Sequence, residues 1–340
     1  MSGQSPLPAA DAHPTAALNG AARPARTAKK RMLLIVNPYA TTVSDRLKNL
    51  VAYALQGRYE VEAVATEAQN HATELARAAA ARGYDLVCAF GGDGTLNEVA
   101  NGLVGSDVPL TVLPGGSANV VCRTLGIPND VVDATEHLLT LADRFKPRRI
   151  DVGFAGDRLF LFSCGAGLDA SVTQRVDAHP HLKARLGPWY YTWAAVSLFN
   201  RRYLFGRPAR LRVRTPDGDA EGITAIAQNS DPFTFFGSRP VRLCEGAALD
   251  NGALSLAMLR RAALRDVPTL ALRCLSERLS VADHRQVDHF QGLTTARIES
   301  ASAGRDGEVV RFPVQVDGDY IGEHEALELR IEPGALTIVA

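Results

Sequence analysis

Two glycine-rich segments contain the residues whose types and spacing point most clearly to chemistry. Residues 91–98 read Gly-Gly-Asp-Gly-Thr-Leu-Asn-Glu, and residues 114–119 read Pro-Gly-Gly-Ser-Ala-Asn. Each segment follows a short apolar run and precedes a helical pattern, so each offers the free backbone amides of a helix start to phosphate oxygens. Two such loops at neighbouring strand ends can hold a triphosphate together. Asp93 would then act through Mg²⁺ or a hydrogen bond or, as the simpler alternative, would cap the following helix.

Further polar residues stand at other predicted strand ends. Asn37 follows the run Met-Leu-Leu-Ile-Val, and Thr66 closes a segment of alternating hydrophobicity. Ligands of doubly wound sheets bind at the carboxyl ends of the strands, so both residues belong to the same candidate site. Near the C-terminus, the sequence Asp-Gly-Asp at 317–319 separates two strand-like segments. An Asp-Gly pair in that position usually forms a hairpin turn.

The order of these patterns predicts two folded parts. Strands and helices alternate over residues 31–148, which predicts a doubly wound, mostly parallel α/β domain that binds a nucleotide. Short alternating segments over 149–324 predict an antiparallel, sandwich-like β domain for the substrate. The last strand, about 325–340, can pack back onto the first domain. Residues 1–30 have four prolines and no aromatic residue, so we expect a disordered tail.

Composition excludes several classes of protein. Among 340 residues, 37 Lys and Arg balance 37 Asp and Glu, whereas nucleic-acid binders usually carry a basic excess. No apolar run is long enough to span a bilayer. The five cysteines lack the spacing of a disulfide framework or a zinc site, so we expect a cytoplasmic protein.

Three segments together resemble the catalytic domain of the diacylglycerol kinase family, and within it the bacterial lipid kinases and sphingosine kinases. They are Val-Asn-Pro at 36–38, GGDGTLNEVANGL at 91–103 and PGGSANVVCRTLGIP at 114–128. The resemblance extends over about 31–340 and implies ATP-dependent phosphorylation of the hydroxyl of diacylglycerol or a similar long-chain lipid alcohol. A more distant similarity to NAD kinases leaves a kinase for a soluble substrate as one alternative. A non-catalytic nucleotide or lipid binder is the other.

The resemblance implies roles for individual residues of this chain. Bacterial members have Asp-Gly-Glu at 317–319, so the general base is Asp317 or Asp319, and Asp93 is the third catalytic carboxylate. Glu98 and Asn119 are expected to position the substrate. The residues expected to contact ATP with its Mg²⁺ are Asn37, Thr66, Gly91, Gly92, Asp93, Gly94, Thr95, Leu96, Asn97, Gly116 and Ser117.

The sequence departs from the family pattern at two places. Val120 stands where many members have Asp. Asn251 replaces the Asp of a segment in which bacterial members bind a structural Mg²⁺. Neutral Asn is a weaker ligand for a hard cation than a carboxylate is. A metal at this place would depend on the backbone carbonyls of Ala248 and Ala253, so the sequence argues against it.

A lipid substrate requires contact with a membrane. Residues 187–205 hold both tryptophans together with Arg201 and Arg202, and we expect them to lie in the bilayer interface. A helix that covers the β domain is the alternative. These features predict a cytoplasmic protein, peripheral to the inner face of the membrane, without a nucleic-acid partner. An exposed sheet edge would also allow two copies to pair.

Overall fold

The computed structural model describes residues 29–179, 197, 209–261, 263–302 and 308–340. In the first part, four parallel strands lie in the order β2-β1-β3-β4, with α1 packed on α5 and α2 on α3. The strands are β1 (Lys30–Val36), β2 (Tyr59–Ala65), β3 (Leu86–Gly91) and β4 (Leu110–Pro114). The helices are α1 (Asp45–Leu55), α2 (His71–Ala81), α3 (Asp93–Leu103), α4 (Val120–Thr124) and α5 (Val131–Leu141). The predicted doubly wound α/β fold is confirmed.

Burial on both faces explains why the central strands are continuous apolar runs. Every residue of β3 is buried, and so are residues 32–36 of β1. A strand between two helical layers has no solvent face, so it cannot alternate between apolar and polar residues. Capping side chains start two of the flanking helices. The Ser44 hydroxyl accepts from the Leu47 amide at α1, and Asp130 accepts from two amides at α5.

The second part is built from antiparallel strands, as predicted. Its first elements are β5 (Arg148–Ala155), β6 (Arg158–Phe160), β7 (Ser163–Gly167), α6 (Leu168–Asp177), β8 (Leu211–Thr215), β9 (Gly218–Gly222) and β10 (Thr224–Gln228). They are followed by β11 (Thr234–Phe236), β12 (Arg239–Val241), β13 (Leu254–Leu259), α7 (Val267–Cys274), β14 (Val287–Leu293), β15 (Thr295–Ser300), β16 (Phe312–Val316), β17 (Asp319–His324) and β18 (Ala326–Ile338).

Two sheets enclose the second core. One is six-stranded, in the order β14-β13-β10-β7-β16-β17. Its apolar face packs against β8, β15 and β18, which belong to the sheet that begins with β2. Side chains such as Leu256 and Val314 meet Ile298 and Leu329 in this core, and all four are buried. This arrangement is the packing of a β-sandwich.

The C-terminal strand β18 belongs to both parts of the chain. Its first half pairs antiparallel with β15, most of its length pairs antiparallel with β5, and Ile338 near its end pairs parallel with Leu110 of β4. One sheet therefore continues from the α/β part into the β part. The division of the chain at residues 148 and 324 stays a prediction, whereas the pairing of Ile338 shows that the end of β18 lies on the first part.

No helix in the described ranges combines the length and the apolar character needed to cross a membrane. The segment 187–205, expected at the bilayer interface, lies outside the described residues apart from Ser197.

Replacing Leu113 by Ala is expected to lower the stability of the fold, because this side chain of β4 is fully buried. Loss of a buried Leu side chain costs about 2–5 kcal/mol, which includes the cavity that it leaves. The matched control is Leu50→Ala on α1, where the side chain is 57% exposed. Denaturant unfolding followed by circular dichroism compares the two. Equal losses would show that β4 does not lie in the core.

Candidate active site

The two glycine loops contact each other backbone to backbone. The strands β3 and β4 are neighbours, with Gly91 opposite Pro114, and the Gly115 amide donates to the Gly91 carbonyl over 2.8 Å. A Cβ on Gly115 would lie 2.8 Å from the Gly91 Cα, and one on Gly116 would lie 2.8 Å from the Gly92 Cα. A side chain at either position would push the loops apart. The structure thus brings together the two loops that the sequence singled out.

Asp93 connects the same two loops through its carboxylate. Its oxygens accept from the amides of Val120, over 3.1 Å, and Val121, over 3.3 Å, at the start of α4. The alternative that this side chain caps its own helix is wrong, because the N-cap of α3 is Gly92 and has no side-chain hydrogen bond. Burial raises the pKa of Asp93 to about 6, the two amides oppose the rise, and the nearby Asp319 carboxylate adds to it.

Asn37 and Thr95 hold the edge of the first loop. The Asn37 amide donates to the Thr95 hydroxyl over 2.9 Å, and its oxygen accepts from the Tyr39 amide over 2.9 Å. Thr66 joins the same rim, because its backbone amide donates to the Val36 carbonyl at the end of β1. The four predicted strand ends therefore meet at one edge of the sheet, as expected for a doubly wound fold.

Two cavities meet at this edge. The first, of about 560 Å³, is lined by Thr66 and Glu98 among others. The second, of about 510 Å³, lies against both glycine loops and is lined by Gly92, Asp93, Gly116, Ser117 and a group of apolar side chains. That apolar group consists of Phe162, Val172, Phe233, Phe235, Phe236 and Val241. The residues common to both cavities are Asn37, Gly94, Thr95 and Asp319.

The sequence Asp-Gly-Asp at 317–319 forms the predicted hairpin turn and also reaches the loops. Asp317 and Gly318 have positive φ angles, of 49° and 85°, which suit the two central positions of a tight hairpin between β16 and β17. Asp319 is exposed and lines both cavities. A Cβ placed on Gly94 would lie 2.9 Å from its Oδ2 atom, so the carboxylate lies directly against Gly94.

Asp317, in contrast, is buried and surrounded by donors. Its Oδ2 accepts from the Leu161 amide over 2.6 Å and from the Asn97 side chain over 2.7 Å. Its Oδ1 accepts from the amides of Phe162, over 2.9 Å, and Ser163, over 3.0 Å. Burial raises the pKa of Asp317 to about 6, and these bonds oppose the rise. Each oxygen already accepts two hydrogen bonds, so this carboxylate holds the turn in place.

Several residues that are predicted to contact a ligand form contacts within the protein. Leu96 is buried in the core, and Asn97 donates to Asp317 and to the Leu159 carbonyl. Neither residue lines either of the two cavities, and the expected contact of both with ATP stays a prediction. The Asn119 side chain is likewise internal: it accepts from the Gly116 amide and donates to the Gly116 carbonyl and the Asn129 side chain. These bonds shape the second loop, and the expected role of Asn119 in positioning the substrate stays a prediction.

Glu98 and Gly91 contact neighbouring parts of the protein that support the first glycine loop. The Glu98 carboxylate accepts from the Ala72 amide over 3.2 Å and still borders the first cavity. Gly91 lines neither cavity, and a Cβ there would lie 2.5 Å from the Thr95 hydroxyl oxygen. Glycine is therefore required at this position by the close approach of Thr95.

The candidate metal ligands at 246–253 do not fit a structural metal ion. The Asn251 oxygen accepts from the Ala253 amide, and its amide group donates to the Gly246 carbonyl. The nearby Asp151 carboxylate accepts from the amides of Gly252 and Gly334. Both side chains thus close turns, and the described ranges contain no group of three or more His, Cys, Asp or Glu that could hold a metal ion.

Asp169 is a cavity residue that the sequence reading missed. It lies in the first turn of α6, lines the second cavity and accepts from the Gln315 side chain over 2.7 Å. Gln315 in turn accepts from the Gly318 amide over 2.8 Å, so it connects Asp169 with the turn at 317–319. Burial raises the pKa of Asp169 to about 6. The sequence signal that could have identified Asp169 is Gly-Ala-Gly-Leu-Asp at 165–169, which follows an apolar run. Like the first glycine loop, it is a glycine-rich strand end that contains an Asp.

Comparison with known proteins agrees with this geometry. Residues 31–154 match the family model of the diacylglycerol kinase catalytic domain. The chain is 30% identical over 259 residues to a diacylglycerol kinase of Bacillus subtilis, which covers 72% of this chain and 79% of that protein. The chain belongs to the diacylglycerol kinase family. The resemblance inferred from the glycine-rich motifs is thereby confirmed.

Other relatives extend the similarity over the whole length of the family members. A diacylglycerol kinase of Staphylococcus aureus is 27% identical over 317 residues, which is 89% of this chain and 90% of that protein. The crystal structure of a diacylglycerol kinase from Bacillus anthracis superimposes with a TM-score of 0.66 at 18% identity, over 92% of this chain and 98% of that one. This second likeness establishes the shared fold.

Because Asp317 is buried and Asp319 is exposed, we expect alanine substitutions at these two positions to differ strongly in their effect on stability. Asp317→Ala removes the acceptor of four buried donors, and each unsatisfied donor costs about 1–3 kcal/mol. We expect a large drop in the unfolding midpoint. Asp319→Ala, at an exposed position, is the matched control and is expected to change stability by less than about 0.5 kcal/mol. Thermal unfolding measures both, and an unchanged midpoint for Asp317→Ala would contradict its anchoring role.

Asp169→Asn is expected to stabilise the protein at neutral pH but not in acid. Desolvation of this partly buried carboxyl raises its pKa from 3.8 to about 6, so its ionisation destabilises the fold as the pH rises through 6. The neutral amide avoids this cost, which is on the order of 3 kcal/mol, and can still accept from Gln315. Urea unfolding at pH 4 and pH 7.5 tests this, with the exposed Asp283→Asn as control. If the difference in unfolding free energy between Asp169→Asn and the wild type were the same at both pH values, the raised pKa of Asp169 would be contradicted.

Proposed function

We propose that this protein is an ATP-dependent lipid kinase. It transfers the γ-phosphoryl group to the hydroxyl of diacylglycerol or a similar long-chain lipid alcohol. The observation that supports this function is the position of Asp319, beside Gly94 at the junction of the two cavities. One cavity borders Thr66 and the other is lined by aromatic side chains, so a carboxylate stands between a polar and an apolar binding space.

The glycine loops are proposed to bind the phosphates of ATP. Helix α3 begins at Asp93 and presents its free amides, including those of Gly94 and Thr95, to the junction of the cavities. The amides and the Ser117 hydroxyl of the second loop border the same space. The nucleoside would extend past Asn37 towards Thr66 in the first cavity. Mg²⁺ enters with ATP as part of the substrate and neutralises phosphate charge when bound.

Asp319 is proposed to be the general base. A carboxylate at the junction can accept the proton of the lipid hydroxyl while that oxygen bonds to the γ-phosphorus. The bond from the γ-phosphorus to the bridging oxygen breaks, and ADP leaves. Asp317 and Gln315 are positioning residues, since they hold the turn that carries Asp319. Asp93 holds the two loops at the spacing that the phosphates need.

The aromatic part of the second cavity is proposed to accept the lipid. Phe162 comes from the loop after β6, and Phe233, Phe235 and Phe236 come from the hairpin β11–β12 and the residue before it. Apolar surface of this kind binds acyl or alkyl chains by excluding water. Because the cavity also contains the glycine loops, a hydroxyl at the head of the lipid would reach the γ-phosphate.

Asp319→Asn is expected to lower the rate of phosphoryl transfer by about 10²–10⁴-fold, because the neutral amide cannot accept the proton. Asp319→Glu, which restores the residue of bacterial members, is expected to retain most of the activity. The assay measures transfer from labelled ATP to diacylglycerol in mixed micelles. The matched control is Asp219→Asn. Asp219 is the last residue of a second Asp-Gly-Asp, at 217–219, and is exposed in the hairpin β8–β9.

Other outcomes of this assay would reject the proposal. Full activity of Asp319→Asn with loss in Asp93→Asn would make Asp93 the base. Binding of ATP without transfer to diacylglycerol, sphingoid bases or ceramide would indicate a non-catalytic member of the family. Transfer to a water-soluble acceptor in the absence of lipid would indicate a kinase for a soluble substrate.

A further inference from the structure

Helix α7 and its flanking residues form an apolar surface outside the active site. None of the eight residues of α7 is buried. The largest exposed fractions are those of Leu264, at 64%, and Leu272, at 60%. We call the set of exposed apolar residues here the leucine surface; it consists of Leu264, Val267, Leu272, Leu275 and Leu279. Exposed apolar residues concentrated in one short stretch of the chain, here 264–279, indicate an interaction site, whereas scattered single residues do not.

The same segment is basic, although the chain as a whole has no net charge. Residues 260–285 contain six arginines against three acidic residues. One of these acids, Asp266, pairs with Arg285 and is itself buried. Arg265 and Arg278 are exposed and lie among the residues of the leucine surface in the sequence, next to Leu264 and Leu279. The surface therefore combines apolar side chains with positive charge.

A hairpin connects this surface with the proposed lipid cavity. The Arg242 amide donates to the Cys274 carbonyl over 2.9 Å, which joins the end of α7 to the residue after β12. A small hollow of about 210 Å³ lies between the two, lined by Arg239, Arg242 and Leu275 among others. Other residues of the hairpin β11–β12 line the second cavity, and Phe236 near its tip is 48% exposed.

We propose that the leucine surface docks on an anionic lipid bilayer and holds the mouth of the aromatic cavity against it. This inference rests on the proposed function, because it requires a substrate that leaves a membrane. Leucines of an interfacial helix enter the boundary between headgroups and acyl chains, and arginines reach the phosphates. Each arginine near an anionic surface contributes about 1 kcal/mol of attraction. The site differs from the segment 187–205 considered from sequence.

A bilayer fits this surface better than a second copy of the chain. The positive charge would face itself across a symmetric pair of leucine surfaces, whereas anionic headgroups neutralise it. The hairpin also places the surface beside the cavity, which is the arrangement that lipid entry requires. An interface between copies would instead cover the side of the hairpin from which the lipid is proposed to enter.

Vesicle co-sedimentation of the full chain tests the proposal. The wild-type protein is expected to bind phosphatidylcholine vesicles that contain phosphatidylglycerol and to bind pure phosphatidylcholine weakly. Leu272→Ser combined with Leu275→Ser is expected to weaken binding by about tenfold or more, and Arg265→Gln combined with Arg278→Gln by a similar factor. The matched control is Leu50→Ser, at an exposed leucine of α1. Unchanged thermal unfolding shows that the variants fold.

An activity assay separates failure of the docking proposal from failure of the proposed function. With short-chain dioctanoylglycerol dispersed as monomers, the leucine and arginine variants are expected to match the wild type. With long-chain diacylglycerol in vesicles they are expected to lose activity in parallel with binding. A wild type that is inactive on both substrates would reject the kinase proposal, and the vesicle assay would still decide the docking.

Two results would overturn the docking proposal. One is vesicle binding by the leucine variants that equals that of the wild type. The other is a wild-type dimer in analytical ultracentrifugation that the leucine substitutions dissociate without changing vesicle binding. The second result would assign the surface to contact between copies.

Discussion

The Gly115 amide and the Gly91 carbonyl form a hydrogen bond between two loops that have no side chains to separate them. Gly116 also contacts Gly92. Because of these two contacts, the loops that follow β3 and β4 form one continuous surface. The Asp93 carboxylate then joins the first loop to the start of α4. The cavities, the position of Thr95 and the access of Asp319 to Gly94 all depend on this spacing. The two loops tolerate few substitutions at these glycines, because a backbone contact, unlike a side-chain contact, cannot be relieved by a change of rotamer.

A buried carboxylate connects the two parts of the molecule at the site. Asp317 accepts hydrogen bonds from Asn97 on α3 and from three amides at 161–163, so it joins α3 to the β part. A buried charge is tolerated only when donors surround it, and such a cluster is costly to deform. The adjacent Asp319 is thereby held at the junction of the cavities without being buried itself. The anchoring residue and the proposed general base are thus two positions apart in one turn.

The proposed lipid kinase has to join a water-soluble nucleotide with a substrate from a membrane. The hairpin β11–β12 offers a physical route, since it lines the aromatic cavity on one side and contacts the end of α7 on the other. In this proposal the leucine surface and the cavity form one continuous path from bilayer to phosphate. Family membership is established by the relatives, whereas this path is proposed from the residues of this chain.

The sequence by itself determined the alternation of strands and helices and the two glycine loops. Buried strands such as β3 have a local signature, because both faces must be apolar, and loops that act through backbone amides show their glycines directly. Only the tertiary structure decided which side chains face the cavities. Asp-Gly-Asp occurs at 217–219 and at 317–319, and folding brings the second alone beside Gly94. The contact between Asn97 and Asp317 spans 220 positions, so no local pattern reveals that these residues bind each other while Asp319 stays exposed.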